Sequence, residues 1–398
     1  SVWSGTYYEN IEITEEIILI GNGTSTVITV DVSDSGLGSP PIVNSSREGI
    51  NITTDNVELR DFILSNFSIG IKIFGADDVY LSNIQIIDVD SDGIQVSGSE
   101  NVEIMGLHIE SSSDGIGISV MSGSDNLVMS DTVITGFENG IFVNTAGASL
   151  ENITAIDNDN YGCYVVGTNI EISDSTFTDN GINGIRLNAL TSGILDNNII
   201  FDNGNAEVRI ISVVNIEMKD NSISDPSDGY GIHVTASSGL DIHDNILNLT
   251  IWLDDSDFNT IRNNMFSSIN GGSVTYDNVA IIVGGSNNTI SNNDIDDVGI
   301  AFAFLPGNHN YNAIENNTLG LAGYDIEYYT AGQNNTFINT DIGIVDISED
   351  SYFEIIQFID IEMLTLTGPA DGVELEILEG DNSIYSTEMY DGSDAKTD

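Results

Sequence analysis

Arg186 and Arg209 occupy the same place in two similar phrases, "NGIRLN" (183–188) and "AEVRII" (206–211). The whole chain has only 8 Lys and Arg against 63 Asp and Glu. A guanidinium group can grip carboxylate or sulfate through two parallel hydrogen bonds. The equivalent place in neighbouring phrases holds Phe142, Tyr164, His233 and Trp252. Their ring faces suit sugar rings, and the His233 imidazole can also take a proton. "WLDDSD" adds Asp254, Asp255 and Asp257, carboxylates that could serve acid–base chemistry beside an Arg or His base. "DVDSDG" sets Asp88, Asp90 and Asp92 at the spacing that opens a calcium loop, although Ser99 stands where the closing glutamate belongs.

These residues can act together only if the chain stacks its phrases in register. Aligning "LRDFIL", "LSNIQI", "IMGLHI", "MSDTVI", "LENITA" and "ISDSTF" defines one slot: Asp61, Asn83, Gly106, Asp131, Asn152 and Asp174. The slot continues through Asn197, Asp220, Asp244, Asn263, Asn292, Asn316 and Asn339, about every 23 residues. Only Asn, Asp and Gly fill it, the residues that enter the left-handed backbone region most cheaply. Apolar residues alternate on either side, as strands require. A second phrase, "DGIQV", "DGIGI", "NGIFV" or "NGIRL", then starts another strand, and its Asp-Gly or Asn-Gly pair is read as a turn. Coils this short bury too little alone, but stacked about 4.8 Å apart they bury a continuous Ile/Val/Leu column. The prediction is an all-β fold, a right-handed single-stranded parallel β-helix of about 13 coils, with Asn residues of the slot forming amide ladders.

On such a rod, the residue x of Gly-Ile-x-Val faces outward, and the x residues form one column. It reads Lys72, Gln95, Gly117, Phe142, Tyr164, Arg186, Arg209, His233, Trp252, Ile282, Ala301 and Glu327. Cations at this spacing need something negative between them. Either Glu207 and Asp228 supply structural ion pairs, or an external anionic chain runs along the rod.

Bulk properties narrow the partners. A formal charge of −55 excludes the basic footprint of a nucleic-acid protein and disfavours anionic membranes, and no apolar run reaches transmembrane length. Acid in this excess suits a saline, marine or halophilic setting. Cys163 is alone, so it forms no internal disulfide. Acid recurring at one turn, in Asp114, Asp157, Asp159, Asp179, Asp202 and Asp225, is either a solvated edge or a row of weak Ca²⁺ sites. Ser1 reads as mid-strand, with an export leader expected to have been removed.

The chain resembles the right-handed parallel β-helix proteins with pectate-lyase-like repeats. Its opening, "SGTYYENIEITEEIILIGNGTSTVI", is similar to the first coil of the NosD-like copper-binding branch and of archaeal surface proteins. The resemblance covers residues 1–345, with a first coil over about 1–48. Residues 346–398 lose the period and read as alternating strands with a "GPADG" turn, either a C-terminal β cap or a truncated Ig-like module. The resemblance implies an exported or cell-surface rod that binds a polysaccharide or surface glycan, or that serves as an adhesive scaffold, with no cofactor required. One alternative is a polysaccharide lyase or glycoside hydrolase working in the same groove, with Arg186, Arg209, His233, Asp254 and Asp255 as candidate catalytic groups. The hydrolase signatures "GHG" and "RIK" are missing. A second alternative, periplasmic copper handling, needs clustered His, Met or Cys, whereas His108, His233, His243 and His309 are scattered.

Overall fold

The computed structural model describes the chain except residues 30–47, 226–228, 270–277, 308, 329–333, 348–352, 357–363, 366–367, 370–372, 380–381 and 391–398. Strands from Gly5–Tyr8 to Phe353–Ile356 form one wound sheet in which every pairing is parallel. Each strand pairs with its counterpart one coil on, so the chain is a β-solenoid of about 13 turns, as its period predicts.

A typical coil contributes three strands. The first wall contains Asn183–Asn188, Ala206–Ile211, Tyr230–Thr235 and Ile251–Asp254. The second contains Gly193–Asp196, Ile216–Lys219, Asp241–His243 and Thr260–Arg262. The third contains Ile199–Phe201, Ser222–Ser224, Ile246–Leu247 and Met265–Ile269. Inward residues of the first wall form an in-register column, Ile141, Cys163, Ile185, Val208, Ile232, Ile251 and Ile281, all fully buried. Burial of each such side chain stabilises by roughly 1.5–3 kcal/mol, which is why one coil cannot stand alone. Cys163 is a member of this column, and burial pushes its thiol pKa up.

All thirteen slot residues have positive φ, from 46° at Asn339 to 65° at Asp61 and Gly106. The slot therefore turns the chain from the second wall to the third. Its members bond to one another in short exposed pairs, such as Asn83 Nδ2 to Asp61 Oδ1 at 2.6 Å. The continuous amide ladder lies one residue later, which corrects the expected position. Asn198, Asn221, Asn245, Asn264, Asn293 and Asn317 point inward, and from Asn221 on each Oδ1 accepts from the backbone N–H and Nδ2 of the preceding member. Turn amides that would otherwise be buried without partners are thereby satisfied.

The repeated Gly of the second phrase also needs a different reason from the one expected. At Gly93, Gly117, Gly140 and Gly162 no left-handed φ occurs, but a Cβ would lie 2.5–2.7 Å from the carbonyl oxygen of the next glycine in the column. Glycine is required there for close coil contact rather than for a turn.

Parallel pairing continues beyond residue 345, through Val345–Ile347 and Phe353–Ile356. Further on, Val373–Glu379 and Asn382–Tyr390 pair antiparallel. The expected "GPADG" turn falls largely on residues outside the described set.

On the second wall, His243 is nearly buried between Asp244 (Nδ1, 2.6 Å) and Glu217 (Nε2, 3.1 Å). Burial alone would lower its pKa, but these two carboxylates outweigh burial and raise it above 6.5. The stability it contributes is therefore complete below pH 6.5 and is lost as pH rises through the raised value. Denaturation curves should show the penalty of His243→Gln shrinking from pH 6 to pH 9. A penalty independent of pH would refute the paired imidazolium.

Candidate functional site

The outward column of the first wall is nearly the expected one. Register runs Lys72, Gln95, Ser119, Phe142, Tyr164, Arg186, Arg209, His233, Trp252, Ile282, Ala303 and Glu327. Ser119 replaces Gly117 and Ala303 replaces Ala301. In both coils the register places the outward residue two positions further on, within Ile118–Val120 and Phe302–Phe304. Ile282 and Ala303 are buried in a second apolar cluster with Val279 and Ile300, so the accessible part of the column stops near Trp252.

Six described residues are Lys or Arg. Four of them form ion pairs: Arg60 with Glu58, Lys72 with Glu48, Lys219 with Asp196 and Arg262 with Asp241. Arg186 and Arg209, stacked on adjacent strands, form none with a described residue. Arg186 instead donates from Nη1 to the Tyr161 hydroxyl at 2.7 Å and lies 5.1 and 5.3 Å from the Tyr161 and Tyr164 ring centres. Arg209 donates to the His233 carbonyl at 3.0 Å. Burial and the neighbouring Arg186 lower the Arg209 pKa, with Asp254 acting the other way.

Glu207 does not supply the expected ion pair. Its side chain is buried and ends an inward ladder, Asn158, Asn180 and Asn203, by accepting from Asn203 N–H and Nδ2. Asp228, the other candidate, lies outside the described residues. Burial raises the Glu207 pKa from 4.5 to about 8, against two hydrogen bonds that lower it and with Asp225 and Asp202 adding to the rise. A carboxyl raised in this way favours folding fully below pH 4.5, and that contribution is lost as pH rises through about 8. Glu207→Gln should flatten the fall in unfolding free energy between pH 5 and 9. An unchanged slope would show that Glu207 ionises normally.

Aromatic rings bracket the arginines. Phe142 packs edge-on to Tyr164 at 5.3 Å, and Tyr161 to Tyr164 at 5.5 Å. On the other side His233 stacks flat on Trp252 at 4.3 Å and 3°, with Tyr230 at 5.3 and 5.0 Å from the two rings. Burial and Arg209 push the His233 pKa down to about 3, so its ring is neutral at ordinary pH. Its Nε2 is buried and has no hydrogen-bond partner among the described residues, as is true of Ser119 Oγ, Asn139 Oδ1, Arg186 Nε and Thr235 Oγ1 on this wall.

Sequence reasoning missed Tyr161 and Tyr230. Both stand directly before the close-contact glycine, in "YGCY" and "YGIH", where the chain bends and strict alternation fails.

The remaining candidates do not assemble. Asp254 faces outward beside Thr235, but Asp255 takes the left-handed turn position held by Ala189, Ser212 and Ala236 in earlier coils, and Asp257 accepts from Ser286 N–H at 2.6 Å. No catalytic carboxylate cluster therefore forms. Asp92 is turned inward to Ile116 N–H (3.0 Å), whereas Asp88 and Asp90 line a polar cleft of about 490 Å³ with Asn66 and Ser111–Asp114. Among the described residues, no three His, Cys, Asp or Glu side chains could hold a metal ion. Among the described residues, no helix is long and apolar enough to cross a membrane.

A family profile described as a right-handed beta helix region matches residues 12–160, 117–264 and 161–342. The chain belongs to that family. No curated protein matches it in sequence. Among solved structures, it is similar to a mannuronic acid specific polysaccharide family 6 lyase from human gut microbiota: 13% identity, 73% of this chain and 80% of that one, TM-score 0.54. It is also similar to the Agl-KA catalytic domain, at 13% identity over 89% and 62% of the two chains, TM-score 0.51. The A-module of an Azotobacter vinelandii mannuronan C-5 epimerase matches at 17% identity over 86% and 89%, TM-score 0.49. At these identities the likeness is one of fold.

Proposed function

We propose that the first wall binds an acidic polysaccharide laid along the rod, with Arg186 and Arg209 gripping its anionic groups and Phe142, Tyr164 and Trp252 offering ring faces. One observation carries this reading: in a chain of charge −55, four of six described cations are paired and the two stacked arginines are not. Guanidinium groups at the strand spacing of about 4.8 Å repel by on the order of 3 kcal/mol at an effective dielectric of about 20. Adjacent anions on a polymer of matching repeat relieve that repulsion. A polyuronate carries a carboxylate on every sugar and so fits better than a polymer charged on alternate sugars. Acidity of this degree also suits a saline setting at the cell surface, and any bound Ca²⁺ would serve the ligand rather than a built protein site.

Depolymerisation of the same ligand is the second reading, favoured by the lyase of like fold. The buried Nε2 of His233 and the dispersed aspartates argue against it. The deciding experiment titrates the protein with polyuronates and neutral glycans, with and without Ca²⁺, and follows both binding and ultraviolet absorbance of unsaturated ends. Binding of the charged polymers that is lost when Arg186 and Arg209 are replaced supports the proposal. Indifference to all of them would leave a scaffold, and rising absorbance would make the wall catalytic.

A further inference from the structure

A second aromatic feature lies at the corner between the first and second walls. Phe258 and Tyr311 sit there with φ of 57° and 61°, and both are exposed, at 64% and 63%. Every other described non-glycine residue with positive φ is Asn, Asp, Ala or Ser. Bulky L residues are disfavoured in this region, and their persistence points to use rather than packing. Asn56, Asp78, Asn101, Asn126 and Asn169 hold the same corner elsewhere, so a residue without strain was available to it.

The corner is in register. Phe258, Asn287 and Tyr311 each precede a member of one inward ladder, Asn259, Asn288 and Asn312. Their coils are also joined by Phe258 N–H to Ser286 O and Asn287 N–H to Asn310 O. Phe258 and Tyr311 are thus two coils apart, about 9.6 Å at the usual strand spacing. Asn287 lies between them, exposed. One coil is close to the rise of one pyranose in an extended polymer, so the two rings match alternate sugars and the Asn287 amide faces the sugar between. Asp255 and Asp257, on the same turn as Phe258, make the corner hostile to polyanions.

We propose that this edge is a separate binding track for a neutral polysaccharide, with Phe258 and Tyr311 as stacking platforms. The test is retention on insoluble cellulose, chitin and xylan, with affinity electrophoresis in soluble mixed-linkage glucan. The protein should bind at least one of these, and Phe258→Gly with Tyr311→Gly should weaken binding about tenfold or more. The melting temperature of that variant should hold or rise, because glycine accepts positive φ without strain. Should the glycine pair misfold, the asparagine pair, native to this corner, should show the same loss of binding. The proposal is overturned if none of these polymers is bound, if the double variant binds as well as the parent, or if sedimentation shows that the two rings instead join a pair of rods.

Discussion

Replacing Arg186 and Arg209 together with alanine is expected to abolish acidic-glycan binding while leaving the melting temperature unchanged or slightly higher. Each charge-assisted contact contributes about 1.5–3 kcal/mol, so losing two lowers affinity by roughly 10²–10⁴-fold. Stability should not suffer, because neither guanidinium has a carboxylate partner among the described residues and each repels the other. The double lysine variant keeps both charges but loses the planar two-pronged grip, so it should fall between. Binding of the parent should weaken with added salt, as an exposed ionic contact must. Calorimetric titration and thermal melts on the three proteins decide the matter. Unchanged affinity in the alanine pair would remove the wall from consideration. A sharp drop in melting temperature would instead assign the arginines a structural role, through Tyr161 and the His233 carbonyl.

Asn245→Leu should be the most damaging single substitution in the body of the rod. Asn245 Oδ1 accepts from Asn221 N–H and Nδ2, both at 2.9 Å, and its own Nδ2 donates to Met218 O, His243 O and Asn264 Oδ1. All of these groups lie out of water. Removing the amide strands the Asn221 N–H and two or more further polar atoms, at about 1–3 kcal/mol for each, for a loss on the order of 4 kcal/mol. The neighbouring slot position provides the control. Asn263→Gly keeps the φ of 54° that glycine tolerates and removes only an exposed side chain, so it should cost a fraction of that. Chemical denaturation of both variants measures the difference. Equal, small losses would mean that the inward ladder merely fills space.

Much of this architecture was legible because the repeat is written in residue type. Thirteen slot positions restricted to Asn, Asp and Gly mark a left-handed turn, and all thirteen have positive φ. Alternation around them separates inward from outward side chains, so the column from Phe142 to Trp252 follows from the order of residues alone. The inward ladder was not legible. Its positions hold Phe62, Ile84 and Leu107 in early coils and Asn only from Asn198 onward, so no single residue type marks them. Nor was the place of Tyr161 and Tyr230, where a bend at glycine breaks the period of two.

By itself the sequence determined the wound parallel sheet, its period and the wall on which Arg186 and Arg209 stand, because each is set by local backbone preference and strand alternation repeated coil after coil. Whether those arginines were neutralised depended on groups far apart in the chain. Glu207 is two residues from Arg209 yet turns inward to close a ladder, and only the folded rod shows it. The difference is physical: alternation fixes the direction of a side chain on a regular strand, but a partner at a bend is chosen by what lies one coil away.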